Sequence, residues 1–232
     1  MPTIESIFDD VKLLCGEVGG RPLRLPLLLG SDGAMLIDSG CAPHVQELIL
    51  PALVELDIPP ERLRHLIVTH CDIDHQGGNS GLRAVCPDLR IGCGRADAAA
   101  VSDPEVIIHQ RYDAYRAAHD HHYDDAAIAG IRRELGQPTP VDLTCVGGEQ
   151  IHLGAGWIVE IVHLPGHSHG HIGVYDPKHR TLFGGDAIHG DVYLDLSGRP
   201  ALCPTYLHIA EYRQTIDHIA RLPIDCYIGC HW

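Results

Sequence analysis

Thr69-His70-Cys71-Asp72-Ile73-Asp74-His75-Gln76-Gly77-Gly78-Asn79 follows directly on the apolar run Leu66-Ile67-Val68. A strand over 64–69 therefore delivers two imidazoles and two carboxylates to a loop at its C-terminal end. That is where open α/β folds gather their chemistry. Imidazole and carboxylate are the usual donors to Zn, Fe and Mn. The competing reading, a polar loop whose acids and histidines merely face water, loses weight to further His and Asp motifs downstream.

Working outward, the apolar runs 23–29 and 34–37 are split by Gly30-Ser31-Asp32-Gly33 and predict a hairpin. The second run ends in Asp38-Ser39-Gly40. Val45, Leu48, Ile49, Ala52 and Leu56 recur at three- and four-residue steps after Pro43, which predicts an amphipathic helix over 43–56 stopped by Pro59-Pro60. Beyond the opening loop, Gly77-Gly78 lets backbone come close to the site, and a helix runs from about Asn79 to Val85. Leu89 to Cys93 is a strand. Residues 96–135 read as helical and polar; their His109, Tyr112, Tyr115, His119, His121, His122 and Tyr123 either roof a pocket or form a solvated face.

The remainder predicts strands at 142–146, 149–153, 157–164, 171–175 and 181–184, a helix marked by Ile209, Tyr212, Ile216, Ile219 and Leu222, and a last strand at 226–228. Two β-then-α halves imply two packed sheets with helices on both outer faces. The chain reads as one domain, 1–232, carrying a helical insertion at about 96–136.

A formal charge of -14 over 232 residues disfavours nucleic acid and anionic membrane, leaving a small molecule as the expected partner. No apolar run approaches the roughly 20 residues of a membrane span, and the N-terminus shows no basic segment leading into an apolar one. The expectation is a cytoplasmic protein. Nine cysteines, an odd number without a CxxC pair, argue against a disulfide framework and for buried small hydrophobes. Histidine is unusually abundant at 18.

Three more polar groups stand at strand ends: His167 in Leu164-Pro165-Gly166-His167-Ser168-His169-Gly170-His171, Asp186 after Leu182-Phe183-Gly184-Gly185, and His231 after Ile228-Gly229-Cys230. Together with the opening loop, and in this order, they resemble the metallo-β-lactamase superfamily from Asp38 to His231. The resemblance implies an α/β fold, a four-layer αββα sandwich, and a site for two divalent metal ions. His70 and His167 would hold the first ion, Asp74, His75 and His231 the second, with Asp186 bridging. Asp38 would support the site without ligating, and His171 would hydrogen-bond behind the ligands or sit in the core as a satisfied histidine. Apart from the resemblance, His189 and Tyr193, shortly after Asp186, either line the substrate pocket or lie on a surface loop.

One position departs from the family's HxHxDH pattern: Asp72 stands where the second His belongs. The nearest analogue is the HxExDH version of the flavodiiron proteins, so Zn, Fe and Mn all stay open, and Asp72 either joins the first metal or turns away. The resemblance implies a hydrolase of a small ester, lactone, thioester or related substrate, with Asp74 both ligating and taking the nucleophile's proton. The alternative is a non-haem di-iron redox protein acting on O2 or a related small molecule. The chain ends one residue after His231, which sets an expectation against a glyoxalase II type of thioesterase. The acidic charge speaks against a nuclease, and the lack of a leader against a true β-lactamase.

Overall fold

The computed structural model describes residues 2–231. β1 (Thr3–Phe8), β2 (Val11–Val18), β3 (Arg21–Leu29) and β4 (Ala34–Ile37) form an antiparallel meander. β5 (Leu63–Val68), β6 (Arg90–Gly94) and β7 (Leu143–Cys145) add to it in parallel, giving a seven-stranded sheet in sequence order. The second sheet is antiparallel through β8 (Gln150–Gly154), β9 (Trp157–His163), β10 (Ile172–Asp176) and β11 (Thr181–Gly185). A ribbon of β12 (Tyr193–Leu194) and β13 (Pro200–Leu202) follows, and β14 (Cys226–Gly229) returns parallel to β11.

The two-residue period of each strand divides the core into layers. In β4, Met35 and Ile37 face the second sheet, whereas Ala34 and Leu36 face helices. In β5, Ile67 turns inward, and Leu66 and Val68 turn outward. Met35, Ile37 and Ile67 thus meet Val159, Ile161, Val174 and Phe183 between the sheets. Outside the first sheet pack a π-helical turn (Val45–Ile49), α1 (Leu50–Glu55), and α3 (Asn79–Val85). Outside the second sheet, α8 (Ile209–Ile219) sets Ile219 against Val162, Leu164 and Leu182. The arrangement is the four-layer αββα sandwich.

Several elements differ from the sequence reading. β1 and β2 were not expected; the helix expected over 43–56 begins as the π turn at Val45; and the opening loop contains a one-turn helix, α2 (Ile73–Gln76). The insertion is a chain of short pieces: α4 (Ala98–Ser102), α5 (Pro104–Ile107), a second π turn (Ile108–Tyr112), α6 (Arg116–His119) and α7 (Asp125–Leu135). Asp103 and Asp124 start α5 and α7 by accepting from the amides of Glu105 and Ala127. No helix among the described residues is long and apolar enough to cross a membrane. All nine cysteines are free thiols; Cys41, Cys71, Cys86, Cys93, Cys145 and Cys230 are buried and Cys203 is exposed.

Gly77 and Gly78 are required by close backbone contacts within the protein. A Cβ at Gly77 would lie 2.1 Å from the Glu134 carbonyl oxygen at the end of α7, and one at Gly78 2.4 Å from that of Ser39. The tightest approach joins the two sheets: a Cβ at Gly94, the last residue of β6, would lie 1.7 Å from the carbonyl oxygen of Gly170. Gly94→Ala should therefore lower stability by about 1–3 kcal/mol through overpacking, read as a reduced urea midpoint in the metal-free protein. An unchanged midpoint would mean that the turn carrying Gly170 yields freely.

Candidate metal centre

The site lies where β5, β11 and β14 end. β5 leads into Thr69 and His70, after which Asp72, in extended conformation, starts α2 and places Asp74 and His75 on its single turn. His167 comes from the turn after β9, Asp186 from the end of β11, and His231 from the end of β14. Asp186 is aimed by Gly185, whose φ of +51° is in the left-handed region; a Cβ there would also lie 2.7 Å from Thr69 Oγ1.

Four imidazoles share one design. His75 Nδ1 donates to Asp38 Oδ2 at 2.8 Å, His231 Nδ1 to the Pro22 carbonyl at 2.8 Å, and His167 Nδ1 to the Thr205 carbonyl at 2.5 Å. His70 Nδ1 donates to Thr69 Oγ1 at 3.0 Å, whose own proton goes to Asp38 Oδ2 at 2.9 Å. With each Nδ1 occupied, Nε2 is the ring atom left to meet a proton or a metal ion. Those atoms turn on carboxylates: His70 and His167 lie 3.5 and 3.0 Å from Asp72 Oδ2, and His231 lies 3.2 Å from Asp74 Oδ2. His75 Nε2 lies 3.9 Å from Asp74 and 3.7 Å from Asp186, and His231 Nε2 is also 3.7 Å from Asp186. Facing acceptors at such distances need a cation between them.

Charge and burial agree with that need. Asp38, Asp72, Asp74 and Asp186 crowd together, and His70 Nε2, His75 Nε2, Asp72 Oδ1 and Asp186 Oδ1 are buried without a hydrogen-bond partner. Burial drives His70 down to about 4, so it is neutral at pH 7. Burial also opposes protonation of His75, yet Asp38, Asp186 and Asp74 together raise it to about 10. Burial pushes Asp74 up, but His75 and His231 outweigh it and hold the group at about 2. Asp186 is held well below the usual carboxylate range against its burial by His75 and His231. A proton on His75 is the smallest cation that meets the local excess of anions; a divalent ion fits the same donor set.

The ligand atoms fall into two groups, each within 4.8 Å: His70, Asp72 and His167; and His75, Asp186, Cys230 and His231. Asp74 joins the second group through His231. Asp186 lies with the second group, whereas the sequence resemblance assigned it to both ions. Asp38 stands behind His75. His171 Nε2 accepts from the Asp186 amide at 3.2 Å, and its ring stacks on His70 with centroids 4.8 Å apart. Tyr193 donates to Asp186 Oδ2 at 3.1 Å and pairs with His189 Nε2 at 2.6 Å.

The cleft in front, about 310 Å³, is lined by Arg21, Arg111, Tyr112, Tyr123 and Tyr193 among others. Of the insertion's seven candidates, Tyr112 and Tyr123 reach it, whereas His109, Tyr115, His119, His121 and His122 do not line it. Arg111, Arg21, Thr69, Asp97 and Cys230 escaped the sequence reading. Asp97 clamps the His167 turn, accepting from Ser168 Oγ at 2.5 Å and from the Gly170 amide at 2.8 Å. A signal was available for Thr69 and Cys230, adjacent to His70 and His231. The Cys230 thiol donates to the Arg24 carbonyl at 3.4 Å.

The Metallo-beta-lactamase superfamily model matches residues 27–231. A hydroxyacylglutathione hydrolase of Aeromonas hydrophila subsp. hydrophila is 26% identical over 208 residues, which are 88% of this chain and 58% of that protein. This chain thus spans little more than half the length of that relative. Among solved structures, a metallo-beta-lactamase family protein from Thermus thermophilus superposes with a TM-score of 0.75 at 20% identity, covering 98% of this chain and 75% of that one. A class B3 di-zinc metallo-beta-lactamase from an Alaskan soil metagenome superposes with a TM-score of 0.69 at 16% identity, over 99% of this chain and 79% of that one.

Asp38 receives three hydrogen bonds, the third from the Thr69 amide at 2.7 Å. Asp38→Asn turns two amide protons towards donors and frees the His75 ring. Zn2+ affinity, measured by competition with a chromophoric chelator, should fall about 10–100-fold while the far-UV circular dichroism is retained. An unchanged affinity would show that His75 holds its orientation without this partner.

Proposed function

This chain belongs to the metallo-beta-lactamase superfamily, and we propose that it is a metal-dependent hydrolase of a small ester, lactone or thioester. The observation that carries the reading is the set of four imidazoles with anchored Nδ1 atoms, their free Nε2 atoms converging on Asp72, Asp74 and Asp186. Two donor sets are available to a metal ion, His70, Asp72 and His167 on one side and Asp74, His75, Asp186 and His231 on the other. The nitrogen and oxygen donors suit Zn, Fe or Mn, and Cys230 is engaged elsewhere. Bound there, a divalent ion contributes the Lewis acidity and the acidified water that hydrolysis near neutral pH requires.

The chain's own residues supply the rest. Asp74 shares Oδ2 with His231, which leaves Oδ1 to take the proton released when water attacks. Tyr193 keeps its proton, because burial first and Asp186 second raise its pKa far above the ordinary value. It therefore fixes Asp186 as a donor while His189 donates to its oxygen. Substrate would enter the cleft between the ribbon β12–β13 and the insertion, whose Arg111, Tyr112 and Tyr123 set its shape and charge. A volume near 310 Å³ suits a small molecule. Thioesters stay within the substrate class because one relative is named a hydroxyacylglutathione hydrolase.

Two outcomes are expected from a panel of esters, lactones and thioesters assayed before chelation, after it, and after metal is restored. Hydrolysis should disappear on chelation and return with the metal. Asp74→Asn should lose about 10²–10⁴-fold in kcat, because the amide keeps the size but not the basicity. Ser168→Ala should cost far less, since Ser168 is spent on Asp97. Turnover that survives full demetallation, or that collapses in Ser168→Ala alone, would place the chemistry on other residues.

A further inference from the structure

The first group of ligand atoms already contains a cation. Arg111, on the π turn Ile108–Tyr112 of the insertion, sets Nη2 2.7 Å from Asp72 Oδ2 and 3.4 Å from His167 Nε2. It therefore contacts two of the three residues that would hold the first ion, and it contacts Asp72 through the oxygen that faces both imidazoles. The ion pair is sheltered, with the Arg111 and Asp72 side chains 16% and 15% exposed. A guanidinium stays charged at every physiological pH. Neutralising it is not an option, so a divalent ion on Asp72 would have to displace it or face it at close range.

The second group has no such occupant among the described residues. Around Asp74, His75, Asp186 and His231, Tyr193 donates to Asp186 Oδ2 and its oxygen pairs with His189 Nε2, which lies 3.4 Å from the same carboxylate oxygen. Three carboxylates, Asp38, Asp74 and Asp186, bear on His75 there. A fixed cation of the protein thus pairs with the carboxylate on one side of the centre, whereas among the described residues no arginine or lysine pairs with those on the other.

We propose that Arg111 takes the place of the first metal ion. The chain would then hold one tightly bound divalent ion, in the Asp74, His75, Asp186 and His231 group, beside a fixed guanidinium. Asp72 serves as the counter-ion of Arg111, which accounts for an acid at the position where the family's motif carries a second His. Arg111 Nη1 is buried without a hydrogen-bond partner, and the side chain lines the cleft. From the cleft wall the guanidinium supplies the second positive charge of the centre. The inference rests on the reading of the site as a metal centre.

Metal stoichiometry separates the two readings. Apo protein is brought to equilibrium by dialysis against micromolar Zn2+, and the ion bound per chain is measured by plasma mass spectrometry, with circular dichroism to confirm folding. Wild type should bind one equivalent, Arg111→Lys one, and Arg111→Met two. His70→Ala should keep the single equivalent of the wild type, and His75→Ala should lose it. Two equivalents in the wild type, or loss of the single equivalent in His70→Ala, would overturn the placement of Arg111 while leaving a metal centre intact. One equivalent in a folded Arg111→Met would also overturn it. No bound ion in the wild type would instead bring down the metal-centre reading itself. If Arg111→Met does not fold, the His70→Ala and His75→Ala pair still decides the question.

Discussion

The carboxylate of Asp38 is the constraint on which the site depends. It accepts from the Thr69 amide, the Thr69 hydroxyl and His75 Nδ1, so one side chain at the end of β4 fixes both the chain leaving β5 and the His75 ring on α2. Asp38 itself has a φ of +61°, a conformation that non-glycine residues adopt rarely and that asparagine and aspartate tolerate best. Through Thr69 the same carboxylate reaches His70. Two imidazoles on the first sheet's side of the centre therefore inherit their orientation from one buried acid, before any ion is bound.

The second sheet needs a different device, because its contributions come from three separate turns. Asp97, reaching across from the first sheet, holds the His167 turn through Ser168 and Gly170. His171 holds the Asp186 amide, and the Pro22 carbonyl in β3 holds His231. The ties from Asp97 and from Pro22 run between elements far apart in sequence. The layers are packed by side chains of β4, β5 and β9 to β11, and that packing makes such ties possible. Preorganisation of this kind limits the reorganisation needed on binding, and a misplacement of one strand would be felt at all the donors.

The fold and the cluster of candidate donors were legible because both leave patterns in residue type. Period-two apolar runs separated by Gly and Asp mark the strands, and candidate donors stand immediately after them at His70, Asp186 and His231. β1 was not legible: Thr3, Glu5 and Ser6 are exposed on an edge strand, so its apolar residues never form a run. Arg111 was invisible for another reason. It is one arginine in a polar helical stretch, and nothing local distinguishes it from Arg116, which pairs with Asp113 at the surface. Its place is decided by a π turn and by the docking of α7 against Gly77, both of which are tertiary facts. Gly77 and Gly78 show the reverse case, where the residues were recognised and the partner was not.

The thiols carry a practical consequence. Burial raises Cys86 to about 11 and Cys145 to about 12, and it pushes Cys41, Cys71, Cys93 and Cys230 higher still, which keeps these six protonated and shielded from electrophiles. Cys203 alone among the nine is exposed, immediately after Leu202, which borders the cleft. A maleimide fluorophore would thus attach to the native sequence at one preferred point. It would report on the cleft's edge without any engineered cysteine.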